Sequence, residues 1–318
     1  MTRINTVPEV KPVVRTVSAS NADRVLHFAL PKGRMHDGVL DLMRAAGISV
    51  GRSQRGYRPR LGLEGVECKL LKPRAIVEML AQGRRDVGFA GADWIEEAVA
   101  CDDSVQRPIE LLDTGLDPVR LVVAAPASSL QQGQLPERGA GGRPLVIASE
   151  YVGLTRRWIA GRGMNAEVLR SYGATEVLPP EDADAIVDNV ATGATLAAND
   201  LAVCDEVMRS STRLYASAAA MDEPSKRRRI EDLAVLLDSV LQARRRALIE
   251  VNVSADRLQA VVDALPCMRR PTVSPLHEES GYAVKAAVPR EQLASVIGAL
   301  REAGGTDVIV TTPQQIVS

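Results

Sequence analysis

Asp184-Ala-Ile-Val-Asp188-Asn-Val-Ala-Thr192-Gly-Ala-Thr195-Leu196 reads as an apolar strand that enters a small, hydroxyl-rich turn and leaves it as a helix starting near Thr195. Gly193 lets the backbone approach a bound group closely, and Thr192 and Thr195 add hydroxyl donors. Turn amides and a helix N-terminus together form an anion site. Asp184 and Asp188 are four apart and share a face on a strand or on a helix. Carboxylates beside an anion cradle suit a phosphorylated sugar: the turn takes the phosphate and the acids accept from ribose hydroxyls. The same stretch also reads as a plain strand-turn-helix corner with solvent-facing acids.

The rhythm of that stretch continues on both sides. Val25 to Leu30 and Asp86 to Ala90 are strand-like, as are Val119 to Ala125, Pro144 to Ala148 and Ala166 to Arg170. Helical spacing fills Gly38 to Ala46, Ile76 to Leu80, the segment after Trp94, and Thr155 to Gly163. Strands alternating with helices predict an α/β layer architecture. Ser128 to Arg143 is polar and rich in Gly and Gln, a surface loop. Ile230 to Ala243 places Leu233, Leu236, Leu237 and Val240 on one helical face. From Ala247 to Thr311 the pattern is βαββαβ, the ferredoxin-like order.

The expected organisation is therefore a disordered tail over 1–24, a first lobe from 25–118 and 205–243, a second lobe over 119–204, and a small domain over 244–318. A chain of 318 residues has room for this. Lys and Arg total 39 against 40 Asp and Glu, a net charge of −1, which excludes a polycationic nucleic-acid coat. Aromatics at 3% argue against a stacking surface for single strands. No apolar run reaches the ~18–20 residues of a membrane span, and Met1 to Arg24 has no apolar secretory core, so a cytoplasmic location is expected. Cys68, Cys101, Cys204 and Cys267 are far apart and read as reduced packing residues; His27, His36 and His277 stand at no metal-ligand spacing. Lys226-Arg-Arg-Arg229, flanked by Glu223 and Glu231-Asp232, reads as a solvated helix start rather than a nucleic-acid patch.

The turn around Gly193 is similar to the phosphoribosyl-diphosphate loop of phosphoribosyltransferases, and the ordered sequence as a whole resembles the long form of the ATP phosphoribosyltransferase family. The matching pieces come in order: Ala29-Leu-Pro-Lys-Gly-Arg34, Asp86-Val-Gly-Phe-Ala-Gly91-Ala-Asp93 with Glu96-Glu97, Val119-Arg-Leu-Val-Val-Ala124, Gly173-Ala-Thr-Glu176-Val-Leu-Pro179, the Asp184–Leu196 loop and Arg270-Pro-Thr-Val-Ser-Pro-Leu276. The resemblance implies two periplasmic-binding-protein-like lobes with the active site between them and a C-terminal ACT-like domain that senses histidine. It implies transfer of phosphoribosyl from phosphoribosyl diphosphate to an adenine ring nitrogen of ATP, with Mg2+ on the diphosphate, in a homo-oligomer such as a dimer or hexamer, and no nucleic-acid or membrane partner.

Carried onto this chain, the resemblance assigns Thr192, Gly193, Ala194 and Thr195 to the 5′-phosphate, Asp184 and Asp188 to the ribose, and Glu176 to the same site. Lys32 and Arg34 would neutralise nucleotide or pyrophosphate charge, with Arg74 and Asp93 as further cleft residues. Asn252, Thr272 and Ser274 would line the effector site. No single catalytic residue and no protein-held metal is assigned. The chain departs from the usual Asp-Ile-Pro at Ala75-Ile-Val77, from Ala-Thr-x-Tyr-Pro at Ala148-Ser-Glu-Tyr-Val152, and from Asn-Gly-Leu at Asn199-Asp-Leu201. The alternative is a non-catalytic ligand-binding or regulatory protein on the same lobes.

Overall fold

A computed structural model describes residues 25–51, 56–266 and 270–317; the expected tail over 1–24 and Cys267 lie outside them. The chain opens with β1 (Leu26–Pro31), α1 (Met35–Ala45), the short β2 (Val50–Gly51) and β3 (Arg60–Leu61), β4 (Val66–Leu71), α2 (Pro73–Ala81), β5 (Val87–Gly91) and α3 (Ala92–Cys101). It continues through β6 (Ile109–Pro126), β7 (Leu145–Ser149), α4 (Val152–Arg162), β8 (Ala166–Arg170), β9 (Ala185–Val190), α5 (Ala194–Ala198) and β10 (Leu201–Ala216). Then come α6 (Ala218–Asp222), α7 (Pro224–Arg244), β11 (Arg246–Val253), α8 (Leu258–Asp263), β12 (Thr272–Pro275), β13 (Tyr282–Pro289), α9 (Leu293–Glu302) and β14 (Thr306–Thr311).

One eight-stranded sheet runs β4-β1-β5-β10-β6-β9-β7-β8. Its outer strands are parallel within each half: β1 with β4 and β5, and β7 with β8 and β9. The middle strands, β10 and β6, are long and antiparallel, and each belongs to both halves. The first half is closed by Phe28, Leu30, Val39, Leu42, Met43, Val87 and Phe89, with Ile230, Leu233, Leu237 and Val240 from α7 on the same core. Ile76, Val77, Leu80 and Ile95 cover its other face from α2 and α3. In the second half, Leu121, Val123, Ile147, Leu154 and Val187 pack under α4, and Val122, Ile186, Val190, Leu196 and Leu201 fill the opposite face.

This is the expected two-lobed α/β architecture, but the lobes share strands. The expected boundaries at 118/119 and 204/205 both fall inside β6 and β10 rather than between elements. The β6–β10 ladder slips register repeatedly, between Val203 and Asp205 and again through Ser210, Thr212 and Arg213. Such bulges bend and twist the strands where the chain passes from one lobe to the other.

The C-terminal segment is the expected βαββαβ domain, with sheet order β12-β13-β11-β14 and every pair antiparallel. Val251, Val253, Val284, Val288, Val261 and Leu300 form its core between the sheet and its helices. The Lys226–Arg229 run lies inside α7, starting two residues after Pro224, and is less solvated than expected. Lys226 pairs with buried Asp86 at 3.3 Å and with Glu223 at 3.2 Å, Arg227 bonds the Met221 carbonyl, and Arg229 donates to the Glu64 carbonyl. Cys68, Cys101 and Cys204 are free; burial pushes the Cys68 thiol up to about 12 and keeps it inert.

Candidate active site between the lobes

The C-terminal ends of β5, β7 and β9 meet at the crossing of the two lobes, and four side chains join there. Asp93 opens α3 and is buried. Its Oδ2 accepts from the Tyr151 hydroxyl at 2.5 Å and its Oδ1 accepts from Ser210 Oγ at 2.6 Å. Tyr151, two residues past the end of β7 and directly before α4, is fully buried and stacks on Trp94 with ring centroids 4.6 Å apart. Its hydroxyl also accepts from Asn189 Nδ2 at 3.0 Å. Burial, and then the adjacent Asp93 charge, push the Tyr151 phenol far above its ordinary range, so it stays protonated. A polar floor thus joins the first lobe (Asp93), the crossing strand (Ser210) and the second lobe (Tyr151, Asn189).

Beside it, α3 seals the start of α4. Glu97 is buried and accepts from the amides of Gly153 and Leu154, each at 2.9 Å, and from Cys101 Sγ at 3.1 Å. The N-cap residue of α4 makes no side-chain cap of its own, so a carboxylate from another helix satisfies its first amides. Gly153 permits this approach: a Cβ there would stand 2.8 Å from the backbone of Ala100 and Cys101.

The turn after β9 has the predicted form. Gly193 takes φ +82°, a left-handed conformation that favours glycine, and α5 begins at Ala194. Thr192 Oγ1 accepts weakly from the Ala194 amide at 3.4 Å, while the Thr195 carbonyl holds Asn199. Thr192 and Thr195 are exposed. Because α5 has five residues, little dipole accumulates, and the turn offers its amides and hydroxyls rather than a helix N-terminus as polar groups.

Asp188 lies just before that turn, and Glu176 and Glu150 lie close enough to act on it. Its carboxyl is pushed up to about 6, chiefly by burial and further by the Glu176 and Glu150 charges, against a lowering bond from the Asn189 amide. Asp188 and Glu176 therefore lie near one another, with Glu150 as a third acid close by.

Asp184 is not brought to them, which corrects its expected place. It precedes β9, about 13 Å of strand away from Asp188 at ~3.3 Å per residue. Arg143 grips it with two bonds of 2.6 and 2.9 Å, and the Val146 amide adds a third of 2.7 Å. Burial works against its charge, but the Arg143 fork and that amide outweigh it and hold the carboxyl below the usual range. Asp184→Asn is expected to cost about 1–2 kcal/mol of stability and to leave substrate KM values unchanged. Steady-state kinetics beside a urea melt checks this, and a tenfold rise in KM would return Asp184 to the site.

On the first lobe, Lys32 follows β1, its amide tied to the Leu71 carbonyl at the end of β4, and its Nζ sits 3.6 Å over the Tyr57 ring. Arg34 is exposed directly before α1, and Arg74, in the first turn of α2, pairs with Glu78 at 3.2 Å. All three lie just past the C-terminal ends of the parallel strands β1 and β4, the place where open α/β sheets bind ligands. The departures are local. Val77 is buried in the core under α2, Val152 is buried at the start of α4, and Asp200 adopts φ 54°, which Asp tolerates better than most residues.

In the C-terminal domain, Asn252 and Ser274 align across β13 through Ala283, and Thr272 pairs with Lys285, all on the sheet face opposite the Val251 core. Asn252 Nδ2 donates to Asp307 at 3.2 Å. No helix among the described residues is long and apolar enough to cross a membrane.

Comparison with known proteins bears on the family and the fold. Residues 72–239 match the family described as ATP phosphoribosyltransferase, and residues 243–314 match the family described as HisG, C-terminal domain. An ATP phosphoribosyltransferase from Solibacter usitatus is 35% identical over 293 residues, covering 92% of this chain and 99% of its own. One from Chlorobaculum parvum is 34% identical over 291 residues, covering 91% and 96%. Among solved structures, a chain of the ATP phosphoribosyl transferase (HisG:HisZ) complex from Thermotoga maritima superposes with a TM-score of 0.57 at 23% identity, over 69% of this chain and 99% of that one, so the fold is shared. A two-lobed cleft, an appended βαββαβ domain and relatives matched along nearly their whole length leave one assignment: the chain belongs to the ATP phosphoribosyltransferase family.

Proposed function

We propose that this chain transfers phosphoribosyl from phosphoribosyl diphosphate to an adenine ring nitrogen of ATP, releasing pyrophosphate, as a cytoplasmic enzyme of histidine biosynthesis. The observation that supports it most directly is the left-handed Gly193 turn with Thr192 and Thr195, set beside Asp188 and Glu176 at the strand ends. Ala194 and the two threonines hold the 5′-phosphate, and Asp188 and Glu176 accept from ribose hydroxyls. Lys32, Arg34 and Arg74 offset the charge of the nucleotide and of the departing pyrophosphate. A displacement of this kind asks for alignment and charge stabilisation more than for a protein nucleophile.

Among the described residues no group of three or more His, Cys, Asp or Glu is disposed to hold a metal. A divalent ion would therefore arrive on the diphosphate rather than be held by the protein; it would neutralise leaving-group charge, with Asp188 and Glu176 as the nearby acids. Asn252, Thr272 and Ser274 share the open sheet face on which histidine would act as inhibitor, in a homodimer or hexamer.

The test is the purified chain with ATP, phosphoribosyl diphosphate and Mg2+, with and without histidine. Pyrophosphate and a phosphoribosylated nucleotide are expected in equal amounts, with inhibition by micromolar to millimolar histidine. Thr195→Val is expected to raise KM for phosphoribosyl diphosphate about 10-fold, the loss of one hydrogen bond to a charged group, with KM for ATP unchanged. No turnover by folded protein would sink the transferase reading in favour of a binding protein, which returns its ligand unaltered. Activity without histidine sensitivity would leave the last domain as an assembly element.

A further inference from the structure

The hydrogen bonds on the cleft floor run in a single direction. The Asp93 amide donates to Ser210 Oγ at 3.0 Å, so the Ser210 proton goes to Asp93 Oδ1. The Tyr151 proton goes to Asp93 Oδ2, and both carboxylate oxygens are acceptors. With its one proton spent, the Tyr151 oxygen can only accept from its other neighbour, so Asn189 presents Nδ2 and not Oδ1 to it. Amide orientation at an exposed Asn is ordinarily free to invert. Here a buried carboxylate sets it through one intervening hydroxyl.

That fixed amide has half its capacity unused. Asn189 is exposed, one residue from Asp188 and three from Thr192, and among the described residues its Oδ1 and second Nδ2 hydrogen have no partner. An acceptor beside a donor in one plane matches the edge of adenine formed by the exocyclic amine and N7, the pairing Asn makes with adenine elsewhere. Gripped there, both nitrogens of the six-membered ring stay free to act as the nucleophile. A 6-oxo purine presents two acceptors along the same edge and meets the Oδ1 lone pairs.

We infer that Asn189 selects a 6-aminopurine nucleotide by accepting from the exocyclic amine and donating to N7, and that Tyr151 is the positioning residue that holds its amide in that sense. The inference rests on the proposed transfer reaction and names how its second substrate is chosen.

The experiment compares ATP with 7-deaza-ATP, which keeps the amine and the reactive ring but lacks N7. Wild type is expected to use ATP about 10-fold better, the worth of one hydrogen bond. Asn189→Ala should use the two alike within about twofold, with kcat/KM for ATP down about 10- to 100-fold and KM for phosphoribosyl diphosphate unchanged. In Tyr151→Phe the preference should fall several-fold, again without change in the phosphoribosyl diphosphate KM, a shift that loss of packing alone would not produce. ITP should bind Asn189→Ala at least as well as it binds wild type, since the opposing Oδ1 lone pairs are gone. An undiminished preference for ATP in folded Asn189→Ala, or a rise confined to the phosphoribosyl diphosphate KM, overturns the inference. A wild type that turns over no ATP overturns the transfer reaction itself, a separate and recognisable result.

Discussion

Asp188→Asn is expected to lower kcat/KM for phosphoribosyl transfer about 100- to 1000-fold while making the free protein more resistant to heat. In the proposed site the loss follows from replacing a charged acceptor of two ribose hydroxyls, each such bond being worth about 1.5–3 kcal/mol. The gain follows from the pressure on this carboxyl. Its folded value of about 6 stands above the ordinary 3.8, through burial and the Glu176 and Glu150 charges. A group raised on folding contributes its full stability below about pH 4 and loses it as pH rises through 6. At neutral pH the folded chain therefore carries a penalty of about 1–3 kcal/mol, taking ~1.4 kcal/mol per pH unit as the upper bound. Asparagine carries none of it. Thermal melts should show the variant a few degrees above wild type at pH 7.5 and level with it at pH 4. Equal melting at both pH values would mean that the three acids do not oppose one another.

Glu97→Ala carries the second large effect, with the opposite sign for stability. The carboxylate is buried and holds the first two amides of α4, one on each oxygen. Each amide left buried and unpaired costs about 1–3 kcal/mol, and a negative charge is lost from a helix N-terminus. A total of about 3–5 kcal/mol is expected, read as a lower denaturant midpoint. Glu97→Gln keeps one acceptor and should lose less than half as much. Because α4 begins directly after Tyr151, activity should fall with stability in the Ala variant. A cost below 1 kcal/mol would show that apolar packing alone holds α3 to α4.

The sequence pattern carried the layers and the last domain well, because buried parallel strands and amphipathic helices leave periodic traces, as in Val87–Gly91 and in α7. It missed most of β6 and β10. Asp113, Gly115, Asp117 and Pro118 interrupt one and Ser210-Ser211-Thr212 the other; these bulged segments are shared by two lobes and lack an alternating face. Site residues divided along similar lines. The Gly193 turn was legible because its chemistry is local. The spacing of Asp184 and Asp188 gave a common face but not the distance along the strand, and Arg143, 41 positions earlier, decided the role of Asp184. Glu97 and Asn189 were quoted in the matching stretches without a task, and Tyr151 only within a departure from them. Their partners lie 56, 38 and 58 positions away, so no local pattern could reveal them.

The ordering of strands also sets the order in which this chain can fold as it is made. β5 is completely buried, yet its neighbour on one side is β10, which is synthesised only after all of β6 to β9. The first core likewise waits for Leu214 and Ala216, and for Ile230, Leu233, Leu237 and Val240 of α7. A ribosome that has released the first hundred or so residues has thus exposed a sheet with an open edge and an uncovered face. The second lobe, encoded in the middle of the message, has all its strands once β10 is made, whereas the N-terminal lobe must also wait for α7. During that interval Val87-Gly-Phe-Ala-Gly91 is an unpaired apolar strand edge, and it is the segment a chaperone or an aggregating neighbour meets.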